Sequence, residues 1–127
     1  MKDENAISKI IVDAAIEVHR VLGGPGLLES VYEEALVYEL GKRELAVQQQ
    51  VALPVRYKGQ VLGAPLRIDL LVAELVIVEC KATSQYAKIY ESQLLTYLRV
   101  SGLRLGLVVD FGEVLLKNGV HRVVNGL

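Results

Sequence analysis

Cysteine and histidine are scarce in this sequence of 127 residues. It has one cysteine, Cys80, and two histidines, His19 and His121. A single thiol excludes an internal disulfide framework and a cysteine-rich zinc site. Two histidines are too few for a histidine metal cluster. The sequence therefore belongs neither to the disulfide-stapled proteins nor to the proteins with cysteine- or histidine-rich metal sites.

A strong charge of one sign is also missing, since the formal net charge is −1 at pH 7. Without a global basic field, charge alone does not draw the protein to nucleic acid. The distribution is uneven, because residues 1–44 hold nine acids and five bases, whereas residues 45–127 hold six acids and nine bases. The weakly basic second part is compatible with phosphate contacts, and solvated surface charge is the alternative.

Long apolar runs are the third feature that the sequence lacks. No run reaches the roughly 18 residues that span a bilayer. The N-terminal stretch MKDENAISKI is charged and lacks the apolar segment of a signal peptide. We therefore expect a soluble cytoplasmic protein without membrane contact. The length and the apolar fraction of 52% fit one domain over residues 1–127.

The hydrophobic pattern predicts two helices, then strands, a third helix and strands again. Apolar residues recur at helical spacing in three segments, residues 3–22, 27–44 and 86–101. Alternating or continuous apolar runs predict strands near residues 47–57, 61, 66–72, 75–82 and 105–111. GGPG at 23–26 separates the first two helices, and Asn118-Gly119 predicts a hairpin between EVLL and VHRVV. This order predicts an α/β sandwich with a mixed sheet.

The stretch RIDLLVAELVIVECKA, residues 67–82, has a strand pattern that carries Asp69, Glu79 and Lys81. Alternation puts Glu79 and Lys81 on one face, and a tight turn near Ala73-Glu74 is expected to place Asp69 beside Glu79. Two carboxylates can hold Mg²⁺ or Mn²⁺, with a lysine to orient or deprotonate an attacking water. The alternative is an ion pair in which Lys81 neutralises one of the acids. These residues alone leave both interpretations open.

Two further motifs accompany these charged residues. The stretch GLLESVY reads G-x-x-E-x-x-Y, with Gly26, Glu29 and Tyr32. Further along the chain, ESQLLTYL carries Gln93 at helical spacing from several tyrosines, a pattern typical of packing or of an interface. In isolation, Glu29 is favourable charge at a helix start, and Tyr32 is a core residue whose hydroxyl reaches a partner.

Taken together, these motifs resemble one known group of proteins. Asp69 followed by Glu79-Cys80-Lys81 is similar to the D…(D/E)XK signature of the PD-(D/E)XK nuclease superfamily. The G-x-x-E-x-x-Y stretch is similar to that of the GxxExxY proteins within it. The resemblance runs roughly from Ile7 to Asn125. Ile68 stands where the signature has proline, at a position that varies widely in the superfamily.

The resemblance implies an α/β fold with a restriction-endonuclease-like core, in which helices flank a central mixed β-sheet. It also implies a site for Mg²⁺ or Mn²⁺ made by Asp69, Glu79 and Glu29, with Glu33 as the reserve helix carboxylate. Lys81 is expected to position or activate the nucleophilic water. Gln93 is expected to contact the substrate or a metal-bound water.

The function implied by the resemblance is a metal-dependent nuclease that hydrolyses phosphodiester bonds of nucleic acid, DNA rather than RNA. The alternative is a catalytically silent nucleic-acid- or protein-binding module that keeps the fold. Retention of all four charged site positions favours the enzyme. A toxin or defence component that needs a partner subunit is a third alternative. A homodimer is compatible with the sequence, because the C-terminal hairpin would leave a sheet edge free to pair.

Overall fold

Three α-helices occupy the segments with helical periodicity in the computed structural model, which describes residues 2–127. Helix α1 covers Glu4–Val21, α2 covers Glu29–Lys42 and α3 covers Ile89–Ser101. Asp3 caps α1, since its carboxylate accepts a hydrogen bond from the Ala6 amide at 2.9 Å. The GGPG segment separates α1 from α2, with left-handed backbone at its three glycines. Within residues 2–127, no helix combines the length and the apolar character needed to cross a membrane.

A five-stranded mixed sheet forms the centre of the fold. The strands are β1 (Val47–Leu53), β2 (Arg56–Tyr57), β3 (Gln60–Val61), β4 (Leu66–Val72), β5 (Val76–Lys81), β6 (Leu105–Asp110) and β7 (Val120–Val124). The sheet order is β1-β4-β5-β6-β7, and β2 and β3 form a separate two-stranded ribbon. β5 and β6 run parallel and are joined through α3, whereas the other neighbours are antiparallel.

Helices cover both faces of this sheet. The core under α1 and α2 contains Val76, Val78 and Cys80 of β5, whereas the core under α3 contains Ile77. β5 therefore alternates between the two faces as predicted, and Glu79 belongs to the α3 face. The expected α/β fold with a central mixed sheet flanked by helices is confirmed.

The predicted C-terminal hairpin is wrong. Leu116–Gly119 forms a 3-10 turn, the segment EVLL is not a strand, and β7 pairs with β6 instead. A side chain at Gly119 would place its Cβ 2.3 Å from the carbonyl oxygen of Asp110. The glycine therefore permits a close backbone contact and not a two-residue hairpin turn. The strand predicted over residues 47–57 is also divided, because Pro54 lacks an amide hydrogen and separates β1 from β2.

Candidate active site

Asp69 and Glu79 lie side by side where β4 and β5 separate. The regular pairing of the two strands stops at Leu70 opposite Val78. At the next position, Oε2 of Glu79 accepts a hydrogen bond from the Asp69 amide at 2.9 Å, and Oδ2 of Asp69 accepts one from the Cys80 amide at 3.0 Å. These side chains take the place of ladder bonds, so the backbone holds the two carboxylates together.

Burial changes the ionisation of this pair. Glu79 is 9% exposed, and its burial, followed by the negative charge of Asp69, raises the pKa of Glu79 from 4.5 to about 8. The positive charge of Lys81 acts in the opposite direction. Burial therefore favours the protonated form of Glu79 when no cation is bound, because a second buried negative charge beside Asp69 is unfavourable.

Lys81 lies on the same strand face as Glu79, at the last residue of β5. Its Nζ lies 4.6 Å from the centroid of the Tyr90 ring, a cation–π contact made by α3. Among residues 2–127, Lys81 forms no ion pair with Asp69 or Glu79. The structural ion pair, which the sequence left open, is thus not formed.

Glu29 is the first residue of α2. Although Glu29 is exposed as a whole residue, partial burial of its carboxylate raises its pKa. The charges of Asp69, Glu33 and Asp110 add to this rise, and that of Lys81 opposes it. Glu29 is therefore electrostatically coupled to the acids and the lysine of the sheet.

Tyr32 fixes the loop that leads into α2. Its hydroxyl donates a hydrogen bond to the Gly24 carbonyl oxygen at 2.8 Å and accepts one from the Leu27 amide at 3.1 Å. Its ring is fully buried and stacks on Phe111, with 4.8 Å between the ring centroids. The expectation of a core tyrosine with a hydrogen-bonded hydroxyl agrees with these contacts. Tyr32 thereby positions the helix start that carries Glu29.

Glu33 is the more confined of the two helix carboxylates. It is 9% exposed, and its oxygens accept hydrogen bonds from the side-chain amides of Gln49 at 3.4 Å and of Gln50 at 3.0 Å. Its charge contributes to the raised pKa of Glu79. Since Glu33 is already held by two neutral donors, Glu29 is the carboxylate of α2 with the greater freedom to reach a ligand.

Gln93 is connected to the Asp69–Glu79 pair by way of Tyr97. It is exposed on α3, and its amide nitrogen donates a hydrogen bond to the Tyr97 hydroxyl at 3.0 Å. Burial, followed by the charge of Glu79, raises the pKa of Tyr97, so this tyrosine lies within electrostatic range of the site. Gln93 is therefore linked to the acidic pair through Tyr97, and none of the hydrogen bonds among residues 2–127 joins it to either carboxylate.

Asp110 is a site residue that the sequence interpretation missed. It ends β6 directly beside Lys81 in the parallel register and is fully buried. Its Oδ1 accepts hydrogen bonds from the amides of Thr83 at 3.0 Å and Gly112 at 2.9 Å, whereas Oδ2 is buried without a partner. A charged residue in an otherwise apolar strand pattern is the signal that singled out Asp69 and Glu79, and LGLVVD carries the same signal at Asp110.

Asp69 and Glu79 are the donors best suited to a divalent cation. Mg²⁺ is usually bound by one or two carboxylates, with water and substrate phosphate as the other ligands. Within residues 2–127, no group of three or more His, Cys, Asp or Glu side chains is arranged to hold a metal ion. The adjacent pair thus fits a two-carboxylate site, and Glu29 as a third ligand stays a prediction.

Comparison with known proteins bears on the resemblance seen in the sequence. A family model described as PD-(D/E)XK nuclease superfamily matches residues 5–123. No curated protein and no solved structure matches the chain. The matched range contains every site residue described above and the whole five-stranded sheet except Val124. The chain therefore belongs to the PD-(D/E)XK nuclease superfamily.

Proposed function

We propose that the protein is a Mg²⁺- or Mn²⁺-dependent nuclease that hydrolyses phosphodiester bonds of DNA, and that it is one of the GxxExxY proteins. Membership of the superfamily supports a nucleic-acid substrate, and nucleases of this superfamily generally use divalent metals. The observation that carries the proposal is the Asp69–Glu79 pair, held together by two backbone hydrogen bonds on the strand that ends in Lys81.

Asp69 and Glu79 would hold the cation, and Glu29 would join them directly or through water. A divalent cation bound there supplies Lewis-acid stabilisation of the phosphate and lowers the pKa of a water. The raised pKa of Glu79 supports this role, because a cation compensates the charge that burial disfavours. Ligand carboxylates bind in their ionised form. Loading the site is therefore expected to release the proton of Glu79.

Lys81 supplies the positive charge of the proposed site. Its cation–π contact with Tyr90 leaves the ammonium hydrogens free to donate to an attacking water and to a phosphate oxygen. In this position it stabilises the negative charge that develops during phosphodiester cleavage. Gln93, which is linked to the pair through Tyr97, would orient the substrate or a water through its amide group.

A cleavage assay tests the proposal. Wild-type protein, Lys81→Ala and Asp69→Asn are incubated with plasmid, single-stranded DNA and RNA, in Mg²⁺, in Mn²⁺ and in EDTA. Lys42→Ala and Glu74→Gln are the matched controls, because both residues are exposed and lie away from the site, at the end of α2 and in the β4–β5 turn. We expect metal-dependent cutting of DNA that the two site variants lose and the two controls keep.

The other outcomes have distinct meanings. Cutting that survives in Lys81→Ala and Asp69→Asn would identify a contaminating nuclease. Cutting of RNA alone would overturn DNA as the substrate. If the wild type cuts nothing under any of these conditions, the nuclease proposal fails, and the catalytically silent binding module replaces it.

A further inference from the structure

The β2–β3 ribbon, residues 54–65, stands outside the sandwich of helices and sheet. Every residue from Arg56 to Pro65 is exposed. The ribbon is nevertheless ordered, because Arg56 pairs with Val61, Tyr57 pairs with Gln60, and its Lys58-Gly59 tip is a turn of two left-handed residues. A two-stranded ribbon is only marginally stable by itself. Because its residues from Arg56 to Pro65 are exposed, the ribbon does not contribute buried side chains to the core.

The charge of this part of the chain differs from that of the remainder. Residues 45–68 contain three bases, Arg56, Lys58 and Arg67, and no acid. All three bases are exposed. In the rest of the sequence, acids outnumber bases by fifteen to eleven. The ribbon and its attachment therefore form a uniformly positive segment of the kind that binds phosphate groups.

The ribbon leaves the sheet at the end where the candidate active site lies. Leu53 at the end of β1 is opposite Leu66 at the start of β4, and the ribbon connects these two residues. Asp69 is three residues further along β4. At about 3.3 Å per strand residue, the base of the ribbon is roughly 10 Å from Asp69. DNA covers this distance in about three base pairs, at ~3.4 Å for each.

Tyr57 adds an aromatic surface to the same element. Its side chain is 60% exposed, and the ammonium of Lys58 lies 5.4 Å from its ring centroid. Val61 on β3 and Leu62 directly after it are also exposed. Aromatic rings beside basic side chains are the combination that proteins use to bind single-stranded nucleic acid, with the rings stacking on bases.

We propose that the β2–β3 ribbon is a nucleic-acid-binding element. Arg56 and Lys58 bind phosphates several nucleotides from the scissile bond, and Tyr57 stacks on an unpaired base. The inference rests on the proposed nuclease function and deepens it, because it names the substrate class as a strand with an unpaired base several nucleotides from the cut. The ribbon also supplies local positive charge for binding phosphates, which the net charge of −1 for the whole chain does not supply.

Fluorescence anisotropy with short labelled oligonucleotides tests this inference. Single-stranded and duplex DNA are titrated in EDTA, over a range of salt concentrations, with wild-type protein, Arg56→Ala/Lys58→Ala and Tyr57→Ala. Lys9→Ala/Lys42→Ala is the charge-matched control, since it removes two exposed positive charges from α1 and α2. Thermal unfolding confirms that each variant keeps the wild-type Tm.

We expect the ribbon double variant to bind more weakly and to lose part of its salt dependence. Two lost phosphate contacts reduce the slope of log K against log salt by about 1.8 on duplex and by about 1.4 on single strands. Tyr57→Ala should weaken the binding of single-stranded DNA by about tenfold and that of duplex much less. In the cleavage assay, the ribbon variants should raise KM more than they lower kcat.

The outcomes separate this inference from the nuclease proposal. If the wild type cuts DNA but Arg56→Ala/Lys58→Ala binds with the affinity and salt slope of the control, the ribbon is not the binding element and the nuclease proposal stands. If the wild type binds through the ribbon but cuts nothing, the nuclease proposal alone fails. If the wild type neither binds nor cuts, both fail. Equal loss of duplex and single-strand binding in Tyr57→Ala would overturn stacking on an unpaired base.

Discussion

Replacing Glu79 with glutamine is expected to stabilise the metal-free protein at neutral and alkaline pH. The pKa of Glu79 is about 8 in the folded protein, against an ordinary value of 4.5. Because the folded value is raised, the contribution of Glu79 to stability is fully present below pH 4.5 and is lost as the pH rises through 8. Glutamine is neutral at every pH, and its side-chain oxygen can accept the hydrogen bond from the Asp69 amide that Glu79 accepts.

The size of the effect follows from the change in pKa. At 1.36 kcal/mol for each pH unit, the raised pKa lowers the free energy of unfolding by about 3 kcal/mol at pH 7, where the unfolded chain has lost the proton that the folded protein keeps, and by about 5 kcal/mol well above pH 8, where Glu79 is ionised in both states. An unpaired glutamine amide would subtract about 1–3 kcal/mol at every pH. The pH dependence of the difference between the two proteins is therefore a sharper prediction than its value at any one pH.

Urea unfolding in EDTA measures this difference from below pH 4.5 to above pH 8. Glu74→Gln is the matched control, since it makes the same chemical change at an exposed position in the β4–β5 turn. We expect the free energies of Glu79→Gln and wild type to diverge as the pH rises, while those of Glu74→Gln and wild type stay parallel. A constant difference between Glu79→Gln and wild type over this range would refute the argument.

Three further predictions concern the site and the turns around it. Mg²⁺ or Mn²⁺ at about 100 times its Kd should stabilise the wild type by about 2.7 kcal/mol in thermal unfolding. The Asp69→Asn variant should lose most of this stabilisation. Equal stabilisation of the variant and the wild type would mean that the ion binds elsewhere. Tyr32→Phe removes two hydrogen bonds and should lower the free energy of unfolding by about 1–3 kcal/mol. The same change at exposed Tyr38 should leave the free energy of unfolding unchanged. An unchanged urea midpoint for Tyr32→Phe would contradict the role of its hydroxyl. Gly112→Ala should be strongly destabilising, because the new Cβ would lie 2.2 Å from a backbone oxygen. Gly41→Ala is the control: its Cβ would meet open space in α2, and the change should raise the free energy of unfolding by up to about 1 kcal/mol. Similar urea midpoints for the two variants would show that the close contact at Gly112 relaxes.

The position of the carboxylate pair was predictable because the register of neighbouring strands is set locally. Ala73 and Glu74 adopt left-handed backbone, with φ values of 53° and 58°, in a tight turn closed by a hydrogen bond from the Leu75 amide to the Val72 carbonyl oxygen at 3.0 Å. This turn pairs Leu71 with Ile77 and so brings Asp69 level with Glu79. A slip of one residue would turn every side chain of a strand to the other face. The alternation of side chains along the strands and the short turn between them were therefore sufficient to predict where the carboxylate pair lies.

Contacts between distant segments could not be predicted in the same way. Glu33 is bound by Gln49 and Gln50, and the Asp110 carboxylate is bound by the Thr83 amide, 27 residues away. These contacts depend on how helices and loops dock on the sheet, and no local periodicity encodes that. The wrong hairpin has the same origin, because Gly119 is required by its contact with the Asp110 carbonyl oxygen.

Buried Glu79 also separates the enzyme from a silent binding module without a cleavage assay. A destabilisation of about 3 kcal/mol at pH 7 is a large share of the ~5–15 kcal/mol that stabilises a typical domain. A module that never binds a cation retains that destabilisation, so Glu79→Gln should keep its advantage when Mg²⁺ or Mn²⁺ is added. In the proposed nuclease, the cation compensates the charge of wild-type Glu79 and binds the glutamine variant poorly. In urea unfolding at pH 7, adding the ion should therefore raise the free energy of unfolding of the wild type more than that of Glu79→Gln, and an unchanged difference between the two proteins would argue against the metal site.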